Sequence, residues 1–262
     1  MNLIKNKWTE NDFNNFKKYL LTFSKGEEKG KWEQNILNTS LPCIAVPSNV
    51  INDIVKQIYK GNYIDFINGF TPVNYSEVAI VGKLICKIPN FNLMVEYLNK
   101  YLETAECWAT IDLLKFKVTP INAENFLNLA VNYSLSNKPF IRRACVIILF
   151  NFINLPNYNN NIYNLLKTFK NETEYYVNMA ISWLTCEYFI KNRKFAIEIL
   201  NSNILNDFTQ NKAISKCRDS FRVSVDDKNY LLSFKRKAFN FNFVRIFNKT
   251  SKKNLNSTIK NI

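Results

Sequence analysis

Histidine is absent from this chain of 262 residues, and glycine is scarce, with only five residues. Without histidine there can be no Ser–His or Cys–His dyad, and the commonest general base is missing. The glycines form neither a GxGxxG nor a GxxxxGK[ST] cluster, which argues against a nucleotide site built on a glycine-rich loop. Any catalysis must therefore rest on carboxylates, lysine, tyrosine or electrostatic positioning.

Paired cysteines and long apolar runs are also missing. No CxxC spacing occurs among the six cysteines, which are Cys43, Cys86, Cys107, Cys145, Cys186 and Cys217. We expect them to be reduced and buried, and we expect no zinc site, no other metal and no cofactor. The longest apolar run, Ala144 to Phe150, is too short to span a bilayer, and the N-terminus has no hydrophobic signal core. We therefore expect a cytoplasmic protein, monomeric and without a membrane partner.

Negative charge is in short supply, and the imbalance is uneven. The formal net charge is +14, and residues 235–262 contribute +8 of it because they contain eight basic residues and no acidic one. Residues 1–234 hold 27 basic against 21 acidic residues, so this part is only mildly basic. Binding of phosphates there requires a clustered stripe of bases. Residues 235–262, where Phe239, Phe241 and Phe243 alternate with other residues, are interpreted as a basic, partly disordered extension.

Helical periodicity fills residues 1–234, and no strand-like alternation lasts long enough to suggest a sheet. Prolines stand at the boundaries or in first turns, and we assign N-terminal capping to Thr9 with Asp12, to Ser76 with Glu77 and to Thr209. The predicted helices cover 9–23, 27–38, 47–60, 62–69, 75–88, 91–103, 105–116, 122–135, 139–154, 159–170, 174–191, 193–202, 209–221 and 226–235.

The starts near 105, 139, 174 and 209 are about 35 residues apart, and each is followed by a second helix. This spacing is typical of tandem helix-pair repeats of the HEAT type. The sequence therefore predicts an all-α domain over residues 1–234, a curved α-solenoid of HEAT-like helix pairs. Ala144–Phe150, which is apolar on all sides, should belong to its most buried helix.

Three of these equivalent helices carry residues suited to chemistry. Trp108 and Asp112 are four residues apart and share one face of their helix, while Arg142 and Arg143 stand on the next helix and Trp183 on the one after. An aromatic pair, a carboxylate and an arginine could thus share one groove. The residues alone also allow a structural interpretation, with both tryptophans in the core and Asp112 neutralised by Arg143.

The runs CWATIDLL, FIRRACVI and EYYVNMAISWLTCEYF, followed by FTQNKAISKCRDSFRV, resemble the AlkD-like DNA alkylation repair family. The resemblance covers residues 13–234 in order and is most specific in 105–190. It implies a curved stack of helix pairs that holds alkylated duplex DNA and excises cationic N-alkylated purines, such as 3-methyladenine and 7-methylguanine. Asp112 would then be the catalytic carboxylate, Trp108 and Trp183 would pack on the deoxyribose, and Arg143 would hold the adjacent phosphate.

A basic stripe beside the tryptophans would favour DNA as the partner. Its candidates are Lys212, Lys216, Arg218 and Arg222, and Arg142 is a separate candidate for DNA binding. After Pro47 the chain reads SNVINDIVK, where active relatives place basic residues, so the N-terminal third is expected to grip DNA weakly or to shape a narrower groove. Two alternatives remain open: a DNA-binding member of the fold without excision activity, and a helical-repeat scaffold for a protein partner.

Overall fold

The computed structural model describes residues 1–237, and within them all regular structure is helical. Fourteen α-helices occur in this part of the chain, and short 3-10 segments extend α9, α10 and α14. The helices are α1 (Glu10–Leu21), α2 (Glu27–Leu37), α3 (Ser48–Tyr59), α4 (Tyr63–Gly69), α5 (Tyr75–Ile85), α6 (Phe91–Glu103), α7 (Trp108–Asp112), α8 (Ala123–Ser134), α9 (Pro139–Leu149), α10 (Asn159–Thr168), α11 (Tyr175–Lys191), α12 (Arg193–Asn201), α13 (Asp207–Asp219) and α14 (Val225–Tyr230).

The helices pack as pairs stacked in chain order, which confirms the all-α repeat architecture. Helices α3, α5, α7, α9, α11 and α13 form a row in which each packs on the next. Several lie against the second helix of their pair as well, as α5 does on α6 and α11 on α12. We call this the first-helix row. It places the predicted site residues of α7, α9, α11 and α13 on successive neighbours.

Helix α9 lies at the centre of the stack, as its apolar sequence predicts. It packs against α7, α8 and α11, and residues 144–149 are all buried. Phe150 belongs to the following 3-10 segment and is partly exposed. All six cysteines are free thiols; four are buried, while Cys43 and Cys86 are partly exposed. No helix in residues 1–237 is long and apolar enough to cross a membrane.

The caps correct two of the sequence assignments. Thr9 and Asp12 form the expected capping box on α1. For α5 the cap is Asn74, whose side chain accepts a hydrogen bond from the Glu77 backbone, so the assignment to Ser76 is wrong. Asn206 caps α13 by accepting from the backbone N–H of Thr209 at 2.8 Å, which makes Thr209 a first-turn residue. In both cases an asparagine three residues before the bonded N–H supplies the oxygen.

Helix α7 is also much shorter than the predicted 105–116. Cys107 is its N-cap and Leu113 its C-cap, so a single turn remains. Residues 114–119 then follow as irregular backbone up to Pro120. The short turn matters because it carries both Trp108 and Asp112.

The segment 38–46 crosses several elements of the first-helix row. The Pro42 carbonyl accepts from the backbone N–H of Tyr75 at 2.9 Å, and the Ser40 hydroxyl donates to the carboxylate of Glu106. At its beginning, Asn38 donates from Nδ2 to the hydroxyl of Tyr176 at 3.1 Å. The segment therefore ties α2 to α5, to the start of α7 and to α11.

Candidate functional site

The centre of the candidate site is an ion pair between Asp112 and Arg143. Arg143 donates from Nε to Oδ1 at 2.8 Å and from Nη2 to Oδ2 at 2.7 Å, and its Nη1 donates to the carbonyl of Tyr176. The Arg143 side chain is 5% exposed and that of Asp112 is 17% exposed. The carboxylate thus keeps an open side although both of its oxygens accept from one guanidinium, since each oxygen has a further lone pair.

The structure thus contains the ion pair between Asp112 and Arg143 that the structural interpretation of the sequence predicted. All three nitrogens of the Arg143 guanidinium group bond within the protein, and the side chain is nearly buried. These bonds use three of the five N–H groups of the guanidinium, and the phosphate contact that the resemblance implies for Arg143 stays a prediction. The contacts orient Asp112 and join α7, α9 and α11.

The single turn of α7 is anchored by a buried tyrosine, Tyr101. The Tyr101 hydroxyl donates to the carbonyl of Thr110 at 2.8 Å, in the middle of α7. Gly82 on α5 makes room for this contact, because a Cβ atom there would lie 2.7 Å from the Tyr101 hydroxyl. Because Gly82 has no side chain, Tyr101 can reach the Thr110 carbonyl and hold the turn that carries Asp112.

Trp108 is partly exposed and packs in a small cluster at the start of α7. The cluster contains Leu37, Cys107 and Ala109, with Tyr75 at its border. Burial raises the pKa of the Tyr75 phenol, and the nearby Cys107 thiol and other acidic groups add to the rise. Tyr75 is therefore a neutral hydroxyl close to Trp108 and Asp112. The pattern of the sequence did not single it out.

Arg142 points into a different contact from its neighbour Arg143. It donates from Nε and Nη2 to the two oxygens of Glu172, at 2.7 and 3.0 Å, and from Nη1 to the carbonyl of Ser136. Its side chain is 16% exposed and that of Glu172 is 5% exposed. Arg142 thus joins two inter-helix loops, and the role in DNA binding that we predicted for it stays a prediction.

A second part of the site is formed by Trp183, Glu187 and Arg222. The Trp183 indole N–H donates to Oε1 of Glu187 at 3.3 Å, and Arg222 donates to both oxygens of the same carboxylate, with Nη1 to Oε2 at 2.9 Å. The hydrogen bond from Arg222 lowers the pKa of Glu187, and the bond from Trp183 adds to this effect. Glu187 therefore fixes the indole and the guanidinium side by side.

The two tryptophans lie near different ends of α9 in the first-helix row. The Trp183 ring packs on Phe150, with 4.4 Å between ring centroids, just beyond the C-terminal end of α9. Arg143, which holds Asp112, lies seven residues earlier, or about 10 Å along a helix axis. The predicted groove residues thus form two clusters on one row of helices.

The remaining predicted bases are on and after α13. Lys212 and Arg218 are exposed, Lys216 is partly exposed, and the Lys212 ammonium lies 5.7 Å from the Phe208 ring centroid. Buried polar contacts hold α13 against α11: Asn178 accepts from Asn206 at 2.8 Å, and Ser182 donates to the Thr209 carbonyl at 2.9 Å. This network fixes the position of Trp183 relative to the basic residues of α13.

Three contributors to the site were not found in the sequence. Tyr75 and Tyr176 reach it through packing that no local spacing encodes. Glu187 had a signal, because a carboxylate four residues after a tryptophan lies on the same helical face. Within residues 1–237, no group of three or more cysteine and acidic side chains is arranged to hold a metal ion.

Fold and site together define a helical-repeat protein with a carboxylate, two tryptophans and basic residues on one row of first helices. The chain matches the family described as DNA alkylation repair enzyme over residues 18–217, and it therefore belongs to that family. This membership confirms the resemblance and implies a role in alkylation repair with DNA as the partner. No curated protein matches the chain in a sequence search.

Proposed function

We propose that this protein is a DNA glycosylase that excises cationic N-alkylated purines, such as 3-methyladenine and 7-methylguanine, from duplex DNA. The observation that carries the proposal is the Asp112 carboxylate. It is held in place by two hydrogen bonds from Arg143, is partly open to solvent, and stands one helical turn from Trp108. The family match supports the proposal at the level of alkylation repair.

The chemistry fits a site without histidine. An alkylated purine already carries a positive charge, so its bond to the sugar can break without a general acid, and the base leaves neutral. The charge then moves to the sugar, which becomes an oxocarbenium-like cation. A fixed carboxylate stabilises this cation and orients a water molecule for attack. That water adds its oxygen to the sugar carbon, and its proton is released to solvent through the carboxylate.

Arg143 acts in this proposal as a positioning residue. A carboxylate already aligned by two hydrogen bonds needs no reorganisation when the sugar charge develops. The pair also avoids an uncompensated buried cation, which would be costly. Three of the five guanidinium N–H donors of Arg143 are used within the protein, and its contact with the adjacent phosphate remains a further part of the proposal.

The two tryptophan rings are proposed to stabilise the same sugar cation. The faces of Trp108 and Trp183 favour a nearby positive charge, and both side chains are partly exposed. Lys212, Lys216, Arg218 and Arg222 are proposed to contact phosphates beyond Trp183. A monomeric, cytoplasmic protein without a metal remains part of the proposal.

A DNA-binding protein without excision activity is the second candidate. The observation that favours it is again the Asp112–Arg143 ion pair. A carboxylate that is paired with an arginine can stabilise the fold whether or not it takes part in catalysis. The two candidates share DNA as the partner, and they differ only in whether the bond between the damaged base and its sugar is broken.

The deciding experiment incubates the wild-type protein with a duplex that contains 7-methylguanine. Released base is measured by chromatography, and abasic sites are measured by strand cleavage in alkali. Excision above the spontaneous rate supports the glycosylase. Tight binding of the duplex without release of the base supports the second candidate, and no binding at low salt removes DNA from both.

A further inference from the structure

Phe221 is an aromatic side chain that lies almost entirely on the surface, with 95% of it exposed. It lies in the short connection between α13 and α14, directly beside Arg222. Arg222 bonds to Glu187, and Glu187 bonds to the Trp183 indole. A chain of contacts therefore links the exposed ring to the Trp183 cluster.

The connection that carries Phe221 is held by its own hydrogen bonds. The Ser220 N–H donates to the Cys217 carbonyl at 3.2 Å, and the Ser220 hydroxyl accepts from the Arg222 N–H at 3.2 Å. Val223, two residues on, is buried. Backbone bonds before the ring and a buried anchor after it keep Phe221 outside the core.

The residues around this ring include three bases and two acids. Lys216, Arg218 and Arg222 lie within five residues of it, and so do Asp219 and Asp226. Arg222 and Glu187 neutralise each other, so Lys216 and Arg218 are the bases considered for phosphate contacts. An exposed aromatic ring among bases matches a strand of nucleic acid, in which apolar base faces alternate with phosphates.

We propose that Phe221 is a base-stacking residue. Its ring stacks on a nucleobase next to the damaged nucleotide, while Arg218 and Lys216 contact the flanking phosphates. This inference rests on the proposed binding of DNA and adds a contact outside the Asp112 centre. The base that it meets is one left unstacked at the lesion, where unstacking costs least.

The test uses the full chain and a duplex that carries a tetrahydrofuran abasic-site analogue beside 2-aminopurine, whose fluorescence is quenched by stacking. We expect wild-type protein to change this fluorescence and Phe221→Ala to remove the change. We expect Phe221→Ala to weaken binding about 5- to 150-fold, the range for one stacked base. Phe221→Trp should restore both readouts. Ile121→Ala is the matched control, because Ile121 is 96% exposed and lies outside this cluster.

The salt dependence separates stacking from phosphate contacts. Phe221→Ala should leave the slope of log affinity against log salt unchanged, whereas Arg218→Gln should reduce it by about 0.9. If Phe221→Ala binds and reports like wild type, the stacking inference is wrong while the glycosylase proposal stands. Wild-type protein that binds no DNA overturns both. A loss of self-association in Phe221→Ala, seen by gel filtration without any change in DNA binding, would assign the ring to a protein contact.

Discussion

Asp112 and Arg143 are 31 residues apart in the sequence and form a bidentate ion pair, with donor–acceptor distances of 2.8 and 2.7 Å. The pair connects consecutive helices of the first-helix row, so it contributes to the packing of the stack. It also leaves the carboxylate partly open. The structural role and the proposed catalytic role of Asp112 thus coincide in one side chain. An Asp112 variant must therefore be compared with a variant of an ion pair for which no catalytic role is proposed.

Asp112→Asn should lower the excision rate by about 10²–10³, the usual loss for one preorganised electrostatic group. It should also lower the melting temperature, because the buried Arg143 loses its counter-charge. Glu172→Gln is the matched control, since Glu172 forms the same two-pronged pair with Arg142. We expect similar destabilisation and near-normal excision from the control. Single-turnover rates are measured well below both melting temperatures; equal losses in the two variants would refute the catalytic role.

Glu187 is predicted to make the Trp183 environment sensitive to acid. Its pKa in the folded protein lies below the ordinary value of 4.5 because Arg222 and Trp183 donate to the carboxylate. The stability that it contributes is therefore present above pH 4.5 and is lost as the pH falls through the lowered pKa. Glu187→Gln should flatten this part of the acid profile. Trp183 fluorescence follows it, with Trp183→Phe to assign the signal; an unchanged profile in Glu187→Gln would contradict the network.

The basic residues after Lys237 are predicted to strengthen binding without changing lesion preference. We place the truncation after Lys237 because Arg236 is anchored: its backbone N–H donates to Asn211 at 3.0 Å, and its side chain contacts Asp207. The removed residues contain five bases. Each base that contacts a phosphate adds about 0.9 to the salt slope. Affinities of the two proteins for damaged and undamaged duplex, measured over several salt concentrations, test this; a changed damaged-to-undamaged ratio would count against it.

Gly82→Ala should destabilise the protein by about 1–3 kcal/mol, because the new methyl group overlaps the Tyr101 hydroxyl and ring. The Tyr101 bond to the Thr110 carbonyl would be displaced, and with it the turn that holds Asp112. Tyr101→Phe isolates the hydrogen bond and should cost about 1–2 kcal/mol. Urea unfolding gives both values. A Gly82→Ala protein as stable as wild type would show that α5 can move away at little cost.

The sequence predicted the helices well because their apolar periodicity and prolines are local signals. The buried run 144–149 and the family resemblance were also predicted, and the structure and the family match confirm them. Helix α7 is shorter than predicted at both ends, because its single turn is held by contacts with segment 38–46 and with Tyr101 that no local signal marks. Asn74 and Asn206 were missed as caps although asparagine is a favoured capping residue.

The site was harder to predict than the fold. The spacing of Trp108 and Asp112 identifies a shared helical face, but the sequence left two uses of Arg143 open, an ion pair with Asp112 and a contact with a phosphate. Whether the ion pair forms depends on the height at which α9 packs against α7. The predicted extension 235–262 lies almost entirely outside the described residues, and so do Phe239, Phe241 and Phe243.

The hydrogen bond between Asn38 and Tyr176 joins residues 138 positions apart. A helical-repeat stack usually unfolds as a series of nearest-neighbour units, so its ends can fray separately. Here segment 38–46 connects the second helix directly to the eleventh, across the elements between them. Loss of the first helices therefore also removes contacts in the middle of the stack. Residues 1–191 should melt in one cooperative transition, and a partly synthesised chain cannot complete the site until the Tyr176 region has emerged.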